Sequence, residues 1–324
     1  YSAGSAATTS VGNVLMGELA GTALTTGGNN TAVGSQALST ATTATHNTAV
    51  GHDALRLNTS GLDNSAVGAN VMDANTTGYS NVAMGGAATY TAAALTNQTT
   101  GYNNTAIGAG AMAGNTVGTN NTGIGYLTLY NATSGYNNSM FGRGTGQAIT
   151  TGYMNVGVGD DAMPTVTTGY QNISIGRYAG YGATTGNTNT LIGYACGYAG
   201  GASNQISTGG ANVLLGAYTN LSAGTDGTSI VIGNSITGKG SNTAFIGGSS
   251  GAYNQANSSS WSTTSDRRIK KNITDSTIGL AEINQIQVRN FEYKTKDDLA
   301  EVEADGLCEN DLIAKEGVQV GSIA

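Results

Sequence analysis

The chain has 324 residues, of which 51 are Gly and one is Pro, and it carries a formal net charge of −7. Three Phe and one Trp are too few for an ordinary aromatic-rich core, whereas 39% apolar residues are too many for a disordered chain. The acidic balance argues against a nucleic-acid groove, and no apolar run is long enough to cross a membrane.

Charge and composition divide the chain. Residues 1–260 contain four basic and seven acidic residues, and residues 261–324 contain eight and twelve. We therefore predict an N-terminal remnant (1–12), a repeat shaft (13–247), a polar neck linker (248–264) and a small α+β C-terminal domain (265–324). The chain begins at Tyr1 rather than Met, so we expect a fragment of a longer protein.

A repeat of the form Asn-x-x-apolar-Gly runs through the shaft. Ten of the twelve intervals between its closing glycines are 17 residues long, and the other two are 23, which indicates six-residue insertions. Each unit predicts a short strand, a turn, a second short segment and another Gly turn, with positive φ at each Gly corner. The closing glycines are Gly17, Gly34, Gly51, Gly68, Gly85, Gly108, Gly125, Gly142, Gly159, Gly176, Gly193, Gly216 and Gly233.

The repeat predicts an all-β fold, a parallel β-solenoid or β-roll about 60–70 Å long at roughly 4.8 Å per coil. We expect the apolar residue before each closing Gly to point into the coil, as for Val50, Ile107, Val158 and Ile175. One such stripe is too narrow to form a core alone, so each coil must stack on its neighbours. Three parallel chains would cover further apolar surface, and we therefore predict a homotrimeric fibre.

Asparagines and tyrosines recur in phase with the repeat. The asparagines predict an amide ladder from coil to coil, with a ligand-binding row as the alternative. The tyrosines lie two residues before these asparagines and either pack over Gly turns or stack on sugar rings, since Tyr has an apolar face and a polar tip. The possible glycan contacts are Tyr79, Tyr102, Tyr136, Tyr153 and Tyr170.

The shaft offers little to a metal, a cofactor or a glycan-cleaving enzyme. Cys196 occupies a small-residue position and is expected to be a buried thiol, while His46 and His52 are expected to be surface residues rather than metal ligands. Asp160 and Asp161 are adjacent, and adjacent strand residues point to opposite faces, which disfavours a paired-carboxylate site. No metal, cofactor or turnover enzyme is predicted.

The C-terminal segment changes character. IGLAEINQI has helical spacing and VRNFEYK alternates as a strand does. The run SDRRIKKNI (265–273), followed by FEYK and by VGSIA (320–324), resembles the peptidase S74 domain, the intramolecular chaperone of phage tailspikes, tail fibres and some bacterial surface fibres. About half of that domain is covered, so residues 265–324 are expected to be a truncated form of it. The shaft repeats resemble the head repeats of trimeric autotransporter adhesins.

The resemblance implies that the domain trimerises, registers three chains and cuts itself off at the Ser265–Asp266 bond. Ser265 would be the nucleophile and Lys270 its base. This self-cleavage, which each chain would perform once, is the only enzymatic activity expected. The neighbouring cationic groups of Arg267, Arg268 and Lys271 would disfavour the charged form of Lys270.

The expected protein is a phage tail fibre in the virion, used for host attachment. Its expected partners are two further copies of itself, a host-surface glycan or other receptor, and upstream fibre or baseplate proteins, with no nucleic acid. A bacterial trimeric cell-surface adhesin with the same chaperone is the alternative.

Overall fold

The computed structural model describes residues 2–87, 91–200 and 203–247, and the chain divides into two compact units, residues 1–257 and 258–324. The described part of the first unit is a parallel β-solenoid of about 13 turns, as predicted, and it contains no helix. The helix and strand predicted after residue 265 lie outside the described residues.

Each coil contributes one three-residue strand to a single sheet, and the strands pair in chain order, all parallel. Fourteen strands make up this sheet within the described residues. They are β1 (Val14–Met16), β2 (Thr31–Val33), β3 (Thr48–Val50), β4 (Ser65–Val67), β5 (Val82–Met84), β6 (Thr105–Ile107), β7 (Thr122–Ile124), β8 (Ser139–Phe141), β9 (Val156–Val158), β10 (Ile173–Ile175), β11 (Thr190–Ile192), β12 (Val213–Leu215), β13 (Ile230–Ile232) and β14 (Ala244–Ile246).

The register confirms that the insertions leave the repeat in phase. Across the two 23-residue intervals, Val82 pairs with Thr105 and Thr190 pairs with Val213, so the six extra residues are accommodated outside the sheet. The second short segment of each repeat does not form a second sheet in the described residues. It is held by coil-to-coil backbone hydrogen bonds, such as the Thr59 N–H donating to the Thr76 carbonyl at 2.9 Å.

The direction of the strand side chains corrects the sequence prediction. The residue before the closing Gly points outward: Val158 and Ile175 are each 38% exposed, and Val50 and Ile107 are half-buried. The middle residue of each strand points inward; it is buried in β2 to β13 and half-buried in the terminal strands β1 and β14. Since side chains alternate along a strand, the first and third residues share the outer face. The narrow interior accepts mostly small middle residues such as Ala, Gly and Ser.

Many of the large side chains in the core come from the turn after the strand. In seven coils the fourth position after the closing Gly, insertions aside, is a Leu or Met that is fully buried with φ between 41° and 55°. Residues other than Gly seldom adopt positive φ, so this position is strained and is offset by burial inside the coil. These core residues are Leu38, Leu55, Met72, Leu95, Met112, Leu129 and Met163.

The two rows of glycine in the repeat are required for different physical reasons. Gly51 closes its strand with φ of 140°, a conformation that other residues rarely adopt. Gly118, in the second row, does not have positive φ. A Cβ there would lie 2.3 Å from Asn115 Oδ1 and 2.5 Å from the Gly135 carbonyl oxygen. The second row is therefore required by close stacking of the coils, and not by positive φ as predicted.

The predicted asparagine ladder is confirmed. Asn121 Nδ2 donates to Asn104 Oδ1 at 3.2 Å and to the Gly135 carbonyl at 2.8 Å. Its own Oδ1 accepts from the backbone N–H of Asn138 at 3.0 Å. Because buried amides must be paired, this column fixes the spacing of successive coils. The ladder comprises Asn30, Asn47, Asn64, Asn81, Asn104, Asn121, Asn138, Asn155, Asn172, Asn189 and Asn212, all at most 3% exposed.

Candidate functional site: tyrosines on the solenoid surface

The five predicted tyrosines form two stacks. The rings of Tyr79 and Tyr102 are parallel within 3°, with centroids 4.8 Å apart. Tyr136, Tyr153 and Tyr170 continue at the same 4.8 Å spacing, with angles of 5° and 1° between neighbours. This spacing equals the spacing of strands in a sheet, so each ring packs on the ring of the next coil.

Stacking limits how these rings could contact a sugar. Both faces of Tyr153 are covered by its neighbours, and burial raises the pKa of its phenol, with further contributions from Tyr136 and Tyr170. Tyr79, Tyr102, Tyr136 and Tyr170, at the ends of the stacks, each have one face that no ring of either stack covers. Ring stacking with a ligand is therefore restricted to those faces.

A second group of aromatic residues, here called the tyrosine cluster, was not predicted. The rings of Tyr181 and Tyr198 lie 4.8 Å apart and are inclined by 46°, and those of Tyr194 and Tyr218 meet edge to face at 5.2 Å. Tyr178 packs edge to face on Tyr181 at 5.6 Å. Because these rings are inclined, they do not cover one another's faces as the stacks do.

A cavity of about 300 Å³ opens beside Tyr181 and Tyr198. It lies in the second 23-residue interval, where Tyr198 holds the position that Tyr181 holds one coil earlier and Gly200 follows it along the wall. Aromatic faces with nearby hydroxyl and amide groups suit binding of a small polar ring. The lining residues are Thr165, Tyr181, Gly182, Thr184, Tyr198, Gly200 and Gln205. The interval after Gly193 and the run of tyrosines from 178 to 198 were the available sequence signals.

An ion-pair network joins three successive coils, in the turns that follow Gly142, Gly159 and Gly176. Arg143 contacts Asp160 at 2.6 Å and Asp161 at 2.5 Å, and Arg177 contacts Asp160 at 3.2 Å. The two aspartates lie in the turn after β9, so they converge on one guanidinium instead of pointing to opposite faces as predicted. The hydrogen bond from Arg143 holds the pKa of Asp160 below its ordinary value. This carboxylate is held ionised and is poorly suited to donate a proton.

The remaining predicted residues lie where expected. Cys196 is buried with its Sγ 3.0 Å from Thr219 Oγ1, and burial raises the pKa of the thiol to about 11. The side chains of His46 and His52 are 58% and 56% exposed. In residues 2–87, 91–200 and 203–247, no three His, Cys, Asp or Glu side chains are grouped so that they could hold a metal ion. The same residues include no helix long and apolar enough to span a membrane.

The predicted catalytic residues, Ser265 and Lys270, lie outside the described residues. Their pairing therefore stays a prediction, as does the Ser265–Asp266 cleavage site.

The described unit has the architecture of a fibre shaft, a stack of similar coils with surface aromatic residues. Residues 265–324 match the model of the Peptidase S74 family, described as the chaperone of endosialidase. The solenoid and this C-terminal segment together fit a tail fibre or tailspike with an S74 chaperone domain, a trimeric type of fibre. No curated protein and no solved structure matched the chain.

Proposed function

We propose that three copies of the chain associate in parallel through the outer face of the 14-stranded sheet. The observation that carries this proposal is the outer row, defined as the third residue of each strand. It is apolar in all fourteen strands and only partly covered within one chain. The outer row comprises Met16, Val33, Val50, Val67, Met84, Ile107, Ile124, Phe141, Val158, Ile175, Ile192, Leu215, Ile232 and Ile246.

The composition of the same face supports self-association. The first residues of the strands are Thr, Ser, Val, Ile or Ala, and none of the fourteen strands in the described residues contains a charge. Soluble monomers rarely expose contiguous apolar patches larger than a few hundred Å². An uncharged face with an apolar row along the whole sheet is more suited to contact with identical faces of two further chains. The family match of the C-terminal segment, whose members are chaperones, also supports a trimer.

We further propose that residues 265–324 set the register of the three chains. Successive coils are so similar that chains displaced by one coil would make nearly equivalent contacts, and slow parallel pairing favours such errors. A trimeric C-terminal seed would align the chains before the shaft closes. Self-cleavage by Ser265 with Lys270 would then remove the seed and leave a fibre that unfolds slowly.

The assembled fibre is proposed to attach to a cell surface through neutral glycans. The tyrosine cluster with its cavity is the main candidate contact, and the free end faces of the Tyr79 and Tyr136 stacks are the second. A phage tail fibre, joined upstream to other fibre or baseplate proteins, is the favoured setting. A bacterial trimeric adhesin is the alternative. An antibody against the chain distinguishes the two, because it should label intact phage particles in the first case and intact bacterial cells in the second.

Light scattering of the purified chain tests assembly, with a mass of three chains as the expected result. Binding of the labelled fibre to bacteria before and after periodate oxidation of their surface sugars tests attachment. Tyr181→Ala and Tyr198→Ala should reduce that binding, while Tyr153→Phe, which keeps the stacked ring, should not. A monomeric, fully folded chain would contradict the proposed interface, and binding indifferent to periodate would contradict a glycan receptor.

A further inference from the structure

The tyrosine stack is interrupted by one missing ring. Between Tyr102 and Tyr136 the equivalent position is Thr119, and the backbone places it on the intervening coil. The Asn120 N–H donates to the Tyr102 carbonyl at 3.0 Å, and the Asn137 N–H donates to the Thr119 carbonyl at 3.1 Å. Since stacked rings elsewhere are 4.8 Å apart, the rings of Tyr102 and Tyr136 are about 9.6 Å apart, twice that spacing.

The two rings beside this gap are held in place from behind. Tyr102 stacks on Tyr79 within 3°, and Tyr136 stacks on Tyr153 within 5°. Each ring is thereby kept in the orientation of the ladder and presents its other face toward the gap. The 38% exposure of Tyr136 is consistent with an uncovered face. The result is a slot, one ring thick, between two parallel aromatic walls.

The floor and rim of the slot are polar and uncharged. Thr119 is half-buried, and its hydroxyl accepts a hydrogen bond from Asn120 Nδ2 at 3.4 Å. Along the rim, Asn103 Nδ2 donates to Asn120 Oδ1 at 3.1 Å, and both of these asparagines are exposed. A ligand in the slot would meet aromatic faces on two sides and hydroxyl and amide groups along one edge.

We propose that the slot binds one neutral pyranose ring, inserted between Tyr102 and Tyr136 above Thr119. The C–H faces of a sugar ring pack on aromatic rings at the separations seen for stacked groups, and here such faces are available on both sides. Its hydroxyl groups would exchange hydrogen bonds with the Thr119 hydroxyl and the Asn120 amide. This proposal rests on the proposed glycan attachment and gives its second candidate contact, the ends of the tyrosine stacks, one defined site.

Saturation-transfer NMR of the assembled chain tests the slot, with Tyr181→Ala and Tyr198→Ala present in every sample so that the cavity of the tyrosine cluster does not contribute. The probes are methyl β-glucopyranoside, methyl β-galactopyranoside and the methyl glycoside of N-acetylglucosamine. We expect saturation transfer to the ring protons of at least one probe, and at least a tenfold weaker affinity in Thr119→Tyr, which completes the ladder. Asn187→Tyr is the matched control, because it extends the ladder beyond Tyr170 and leaves the slot open. Its affinity should equal that of the chain without this change, which would assign pyranoside binding to the slot and not to the outer face of Tyr170.

Several outcomes overturn the proposal. The proposal is wrong if no probe shows saturation transfer, or if the transfer persists in Thr119→Tyr. It is also wrong if the slot binds the flat dye thioflavin T but no pyranoside. If Thr119→Tyr fails to fold, Tyr136→Ser removes one wall and must abolish transfer as well. Cell binding separates this proposal from the attachment itself. If the fibre binds cells fully but no pyranoside binds in the slot, only the slot proposal is contradicted. If a pyranoside binds in the slot but the fibre does not bind cells, only the attachment proposal is contradicted.

Discussion

Ala106 and Ile107 are neighbours in β6 but lie on opposite sides of the sheet. Ala106 is fully buried inside the coil, whereas Ile107 is half-buried on the outer face. The same substitution at the two positions should therefore have two different effects. Ala106→Asp places an unpaired charge in the coil and should lower the free energy of unfolding by more than about 3 kcal/mol.

Ile107→Asp should leave the coil folded but weaken the trimer, because the charge enters the proposed interface. Circular dichroism reports the fold, light scattering reports the number of chains, and Ile107→Val is the conservative control. An unchanged trimer in Ile107→Asp would remove the sheet face as the interface. Equal unfolding of both variants would contradict the assigned side-chain directions.

Removing one amide from the ladder should be costly. Asn121→Ala leaves the Asn138 backbone N–H without its buried acceptor and removes one of the two donors to the Asn104 side-chain oxygen, which we expect to lower the stability by about 2–4 kcal/mol per chain. Asn131 is exposed, and Asn131→Ala should change the stability by less than about 0.5 kcal/mol. Urea unfolding compares the two, and similar losses would contradict the structural role of the ladder.

The Cys196 thiol should be inert in the folded chain. With a pKa of about 11, roughly 0.1% of it is thiolate at pH 8, and its burial also blocks reagents. Once the other cysteine of the chain is replaced (Cys308→Ser), Ellman's reagent should therefore label Cys196 only after denaturation. Because the folded pKa lies above the ordinary value of 9.0, the unfolded thiol ionises first, and stability should fall between about pH 9 and pH 11. Rapid labelling of the native chain would contradict the burial.

Self-cleavage should depend on Ser265 and on Lys270. Expressed with a complete chaperone domain, the chain should cut itself at Ser265–Asp266 only after it trimerises. Five residues separate the two side chains, and neighbouring positions on a helix are three or four apart, so a folded loop or a partner chain must bring them together. Ser265→Ala and Lys270→Ala should each leave one uncut band on a denaturing gel and an intact trimer by light scattering. Efficient cutting by Lys270→Ala would remove lysine from the mechanism.

The periodic part of the fold could be predicted from the sequence because it is local. The 17-residue spacing of closing glycines gave the coil, the strands, the phase across both insertions and the asparagine ladder. The side-chain direction was predicted wrongly because an apolar row next to Gly fits either a core or an interface. A three-residue strand is too short for its alternation to decide between them.

The core and the tyrosine cluster required the structure. Leu55 and Met112 lie in turns, have positive φ and are fully buried. Residue propensities do not predict this backbone conformation for Leu or Met. Tyr181 and Tyr198 are 17 residues apart, each five residues after a closing Gly, so the repeat places them on neighbouring coils, but it does not specify the 46° inclination of their rings or the cavity beside them. The backbone conformation of these turns and the inclination of these rings follow from three-dimensional packing, which the residue spacing alone does not specify.

The asparagine ladder also makes the coil a unit of length. Asn121 contacts Asn104 on one side and Asn138 on the other in the same way, so a duplicated or deleted segment of 17 residues would meet the same partners at its borders. Each such event would change the rod by about 4.8 Å without creating a new surface. Fibres of this design can therefore lengthen or shorten over evolution by recombination between coils, while the binding sites on the remaining coils and the C-terminal segment stay unchanged.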